Sequence, residues 1–106
     1  MPWKPGPKKP AAGVVSAALD DLRRSRDFYE SQEEGLGDYF FTSLSEDLDS
    51  LELHGGIHRK VFGYHRMLAA RFPYGIYYLK RTDEIVVFRI LSLRQDPKGI
   101  RRALRQ

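Results

Sequence analysis

Halfway along this chain of 106 residues, the spacing of its apolar residues changes from helical to strand-like, and few folds accommodate that change. Ala18, Leu22, Ser25 and Tyr29 recur at i, i+4, i+7 and i+11, and Phe41, Leu44, Leu48 and Leu51 at i, i+3, i+7 and i+10. Each set marks one face of a helix. The spacing predicts a first helix over about 17–33, with Ser16 as its N-cap and Asp20 and Asp21 near its positive end. A second helix is predicted over about 38–53, and Gly35-Leu36-Gly37 joins the two as a helical hairpin. After Gly55-Gly56 the residues turn β-branched and aromatic, which predicts strands over 61–68, 72–79 and 85–93. In the middle strand Phe72, Tyr74, Ile76 and Tyr78 point one way, and Gly75, Tyr77 and Leu79 the other. The polar run Lys80–Glu84 closes the last two strands into a β-hairpin. Asp96-Pro97 then opens a short helix carrying Lys98, Arg101, Arg102 and Arg105. A helical hairpin packed on an antiparallel sheet of three or four strands, with a short C-terminal helix, is an α+β fold.

The length suits one domain, placed at residues 14–106. Residues 1–13 hold four of the six prolines and two glycines, which predicts a flexible tail; a short strand is expected at its end, near Val14-Val15. The absence of cysteine excludes disulfides and thiolate metal sites. No apolar run approaches the roughly 20 residues of a membrane span. The basic N-terminus lacks the apolar region of a signal peptide, so the cytoplasm is the expected location. Charge is split along the chain. Residues 16–53 carry three arginines against eleven carboxylates, a net of −8, and residues 54–106 carry twelve Lys/Arg against three carboxylates, a net of +9. Such a split suits either two faces with different partners or two halves that neutralise each other.

Arg66, Arg71, Arg89 and Arg94 lie on or beside the predicted strands. A shared concave face would present them to an acidic partner; otherwise they are surface charge or helix–sheet ion pairs. Arg101, Arg102 and Arg105 suit either a target contact or the negative end of their own helix. Tyr74, Tyr77 and Tyr78 read mainly as core, with RNA stacking the lesser reading. His54 and His58 have the i, i+4 spacing of metal ligands, but Gly55-Gly56 breaks the helix that spacing needs, so no metal site or cofactor is expected. Leu19, Phe28, Phe40 and Phe41 exceed one helical stripe, and some of them, Phe28 before Phe41, suit an exposed patch for a partner segment.

Ala-Leu-Asp-Asp-Leu from residue 18, Phe-Tyr-Glu-Ser-Gln at 28–32, Gly-Leu-Gly at 35–37 and Phe40 resemble the helical hairpin of RelE/ParE-superfamily toxins. His-Arg-Lys-Val-Phe-Gly-Tyr-His-Arg at 58–66, Arg-Phe-Pro-Tyr-Gly-Ile-Tyr-Tyr at 71–78, Val-Val-Phe-Arg-Ile at 86–90 and Arg-Gln-Asp-Pro at 94–97 extend the likeness over about residues 14–104. The resemblance implies a type II toxin that forms a hetero-oligomer with a cognate antitoxin and acts either on DNA gyrase or on ribosome-bound mRNA. It implies antitoxin contacts among Leu19, Phe28, Phe40, Tyr78 and Arg89, and target contacts among Arg66, Arg71, Arg94, Arg101 and Arg102. Two departures from the pattern bear on activity. Lys-Pro-Ala-Ala-Gly occupies much of the place of the family's first strand, which is shortened or shifted to Ala12–Val15. The strand arginine of the ribonucleases falls at Gly75, and residues 95–106 contain no tyrosine to complete their catalytic set. The ParE-like, non-catalytic branch is therefore favoured over an mRNA endoribonuclease, and a plain RNA-binding or adaptor module is a further alternative. No catalytic residue is assigned.

Overall fold

The computed structural model describes residues 12–105. A strand β1 (Ala12–Val14) leads into helices α1 (Ser16–Gln32) and α2 (Leu36–His54). Strands β2 (Lys60–Val61), β3 (Tyr64–Leu68), β4 (Tyr74–Lys80) and β5 (Ile85–Ser92) follow, and α3 (Pro97–Leu104) closes the fold. The sheet runs β1-β5-β4-β3-β2. All neighbours are antiparallel except β1 and β5, which are parallel. The α+β architecture thus matches the sequence reading, but the sheet has five strands and is mixed. Two causes account for the difference. The short first strand returns to the far edge through the helical hairpin, and that crossover makes it parallel. The segment expected as one strand over 61–68 instead doubles back at Phe62-Gly63, whose φ angles are 54° and 89°.

The hairpin depends on local chemistry that the two glycines permit. Gly35 stands in the left-handed region at φ 86° as the N-cap of α2, a conformation without a Cβ clash only for glycine. A Cβ on Gly37 would lie 2.7 Å from the carbonyl oxygen of Arg26, so any other residue would push α1 and α2 apart. Glu30 completes the joint by accepting hydrogen bonds from the amides of Gly35 (3.0 Å) and Gly37 (2.9 Å). Two orphan donors at the start of α2 are satisfied in this way. Ser16 does not cap α1; Val15 is its N-cap, without a side-chain bond. Asp96 does cap α3, accepting from Lys98 N at 2.9 Å.

Strand alternation divides the core between two faces. On one, Tyr74, Ile76 and Tyr78 of β4 and Ile85, Val87 and Ile90 of β5 pack under Leu22, Phe40, Leu44 and Leu48 of the helical hairpin. On the other, Tyr77 and Leu91 pack with Ile100 and Leu104 of α3. A β-bulge allows this division. Tyr77 pairs with Arg89 but Tyr78 with Val87, so Phe88 is an extra residue on β5. It returns Val87 and Ile90, three residues apart, to the same face.

Where β1 ends, a side chain continues its role. Val15 N donates to Val87 O at 3.1 Å, and the next β5 amide inward, that of Ile90, donates to Asp21 Oδ2 at 3.0 Å. Asp21 also accepts Arg89 Nε (2.7 Å) on Oδ2, and Arg89 Nη2 (2.9 Å) and Arg24 Nη2 (2.9 Å) on Oδ1. Four donors fill the four lone-pair directions of one buried carboxylate. Arg89 Nη1 in turn donates to Ala103 O of α3 at 3.2 Å. The Asp21 carboxylate raises the Arg89 pKa above its ordinary value, outweighing the opposing effect of burial.

At the other end of the sheet, the buried Tyr78 hydroxyl accepts from Gly56 N at 2.8 Å and meets His58 Nδ1. The hydroxyl and His58 Nδ1 share a hydrogen bond whose direction is set by the imidazole tautomer. Burial first, then the nearby His65 and His54, lowers the His58 pKa.

Two outcomes follow. Asp21→Asn breaks the buried pair and leaves Arg89 without its counter-charge. It should cost about 3–5 kcal/mol of unfolding free energy in urea titrations. His58, with its folded pKa below its unfolded one, stabilises the fold fully above about pH 6.5. That contribution falls away as the pH drops through the folded value. The stability gap between the native chain and His58→Ala should therefore narrow from pH 7 to pH 5.

Candidate functional site

Beyond Val87 the outer edge of β5 is no longer covered by β1. A cleft of about 330 Å³ opens there between α1, β5 and α3, with Asp21, Arg89 and Tyr74 among its lining residues, Phe28 and Arg24 on its α1 side and Ser92 and Gln95 at its far end. The shortness of β1 leaves this opening, because no other strand among the described residues occupies that edge. Phe28 is 56% exposed at this cleft, although its neighbour Tyr29 turns inward to stack on Phe40 at 4.9 Å. The cleft thus pairs an exposed aromatic ring with a network in which Arg24 and Arg89 share one carboxylate, leaving a net positive charge.

The arginines singled out in the sequence do not share one face. Arg71 is bound to Glu46 of α2 at 3.0 Å, and Arg89 is committed to Asp21. Arg94 is exposed just past β5, its amide donating to Ser92 Oγ at 3.2 Å. Arg66 is half-buried on β3 opposite Tyr77, and its Nε finds no hydrogen-bond partner among the described residues. Arg101 and Arg102 lie exposed on α3. The two charge-segregated halves therefore neutralise each other in part, through Asp21–Arg89 and Glu46–Arg71.

Three of the residues expected to face a partner are otherwise engaged. Phe40 is fully buried as an aromatic hub, 4.9 Å from Phe72 and 5.0 Å from Tyr74. Tyr78 is likewise sealed in the core beneath the helical hairpin. Arg89 keeps 15% of its side-chain surface exposed, but its guanidinium bonds internally. Leu19 is half-buried against the core, which leaves Phe28 as the fully surface-facing member of the set.

Gly75 has a definite steric setting. A Cβ there would stand 3.0 Å from the Tyr77 ring, 3.2 Å from Arg66 Cδ and 3.2 Å from Leu93 Cδ2. These three side chains would have to give way slightly to admit a side chain at the position that the family resemblance aligns with the ribonuclease arginine.

The network anchored on Asp21 escaped the sequence reading, which treated that residue as a dipole-stabilising charge. A signal was present: Asp21 stands three residues after Ala18 and one before Leu22, inside the buried stripe of α1.

No helix among the described residues is long and apolar enough to cross a membrane. No curated protein is similar enough in sequence to count as a relative. Among solved structures, a chain of a chromosomal ParDE toxin–antitoxin system from P. aeruginosa is similar in fold, with a TM-score of 0.63 at 18% identity. The alignment covers 78% of this chain and 97% of that one. The model of the ParE toxin of the type II toxin–antitoxin system parDE matches residues 15–97. That span begins just before α1, takes in the helical hairpin and the whole β2–β5 region, and ends at the first residue of α3: the chain belongs to the ParE toxin family of type II toxin–antitoxin systems.

Proposed function

We propose that this toxin arrests growth by inhibiting DNA gyrase and is silenced by a cognate antitoxin that docks along the uncovered β5 cleft, the two forming a cytoplasmic hetero-oligomer. The observation that carries the choice of target is Gly75. Metal-free RNA cleavage needs a cation held against the developing phosphorane. Gly75 supplies no side chain at this position of the central strand, and one placed there would have to shift Tyr77, Arg66 and Leu93. Gyrase inhibition asks for a shaped surface and no acid–base set. The antitoxin reading is supported by Phe28, a large exposed ring at a cleft whose deepest charges, Asp21 and Arg89, bond to each other. Rings in such settings anchor partner segments.

Expressed without its neighbour-encoded antitoxin, the chain should stop growth. The purified toxin should lower the supercoiling activity of gyrase in a plasmid assay. Primer extension on translated message should show no toxin-dependent cuts. Cleaved message with supercoiling intact would overturn the gyrase assignment. For the antitoxin, Phe28→Asp should weaken binding at least tenfold by calorimetry with the product of the adjacent reading frame, on the order of the loss of one interface anchor. Gyrase inhibition by that variant alone should be unchanged.

A further inference from the structure

Helix α3 divides cleanly by chemistry. Ile100 and Leu104 are buried against Tyr77 and Leu91, while Lys98, Arg101, Arg102 and Arg105 stand at i, i+3, i+4 and i+7 and together line an open depression of about 220 Å³. None of these four cations makes an ion pair among the described residues. Cations near a helix C-terminus are ordinary, but this stripe has Asp96 only at its start, where the carboxylate caps the Lys98 amide and pairs with none of the four cations.

A second, independent feature adjoins it. Phe62 occupies the first central position of the two-residue turn between β2 and β3, and its φ of 54° is one that bulky residues rarely adopt. With Gly63 at φ 89° the turn has both central residues left-handed, the setting that favours Asn-Gly. A phenylalanine there stays 45% exposed, and the Arg101 guanidinium lies 5.5 Å from its ring centroid. The hairpin cannot drift from α3, because the Tyr64 hydroxyl donates to Leu104 O at 3.1 Å and the Tyr64 ring stacks on Phe88 at 4.9 Å. A strained backbone thus holds an aromatic face beside a row of cations, and backbone strain of this kind concentrates at functional sites.

We infer that α3 and the β2–β3 turn form a binding site for single-stranded nucleic acid, the phosphates lying along Lys98, Arg101, Arg102 and Arg105 and a base stacking on Phe62. A cationic track beside an aromatic platform is the combination that single strands require. The inference goes beyond the toxin's proposed action on gyrase and stands whether or not gyrase is its target.

Fluorescence anisotropy of the full chain with a labelled oligothymidylate of about 15 nucleotides tests it. The affinity should fall with salt along a log–log slope of about −3, as four neutralised phosphates dictate. Arg101→Ala with Arg102→Ala should reduce that slope by about 1.4. Phe62→Asn, which restores the turn's preferred residue, should hold or raise the thermal midpoint yet weaken binding about tenfold with the slope unchanged. That split between stability and affinity is not expected of a phenylalanine with a purely structural role. The inference is overturned if Phe62→Asn binds like the native chain, if the double arginine variant keeps the native slope, or if polyglutamate of equal length displaces the oligonucleotide as well as unlabelled oligonucleotide does.

Discussion

The whole arrangement turns on one carboxylate. Asp21 joins the first helix to the last strand, supplies an acceptor where β1 has run out, and holds Arg89 so that the same guanidinium reaches the carbonyl of Ala103 on α3. Layers on opposite faces of the sheet are thereby tied through a single side chain. The geometry is bidentate, and the remaining acceptor sites are filled by Arg24 and Ile90, which is the condition under which a buried ion pair offsets the loss of hydration of its charges. The bulge at Phe88 belongs to the same construction: it allows Ile90 to remain in the core while Arg89 reaches around the sheet edge.

Much of this was legible in the residue pattern. The two helical stripes, the glycine joint, the division of β4 into two faces, the β4–β5 hairpin and the Asp96 cap all follow from periodicity and turn chemistry, which act over a few neighbouring residues. What escaped acts over distance or against local preference. The parallel β1–β5 pair depends on a crossover through the whole helical hairpin. The Phe62 turn contradicts the residue preferences of its own turn type. The Asp21 network joins positions 68 apart in sequence.

The candidate site was legible only in outline. An excess of aromatics on the helical hairpin is visible in the sequence, but which of them faces solvent depends on packing. Phe40 lies beneath Phe72 and Tyr74, whereas Phe28, with much the same local sequence signal, remains outside. The arginines show the same limit: composition reveals a basic half, yet two of its members are paired with the acidic half and α3 keeps a separate stripe of its own.

The parallel pairing of the first strand with the fifth also sets the order of events during synthesis. Helices α1 and α2 emerge from the ribosome well before β5, so their apolar stripes must wait for the strands that cover them. Neither the sheet edge nor the Asp21 clasp can close until residue 90 has been made. Long-range closure of this kind is slow and leaves nascent chains exposed to premature association. The fold therefore closes only once β5 has been made, long after α1 and α2 have emerged.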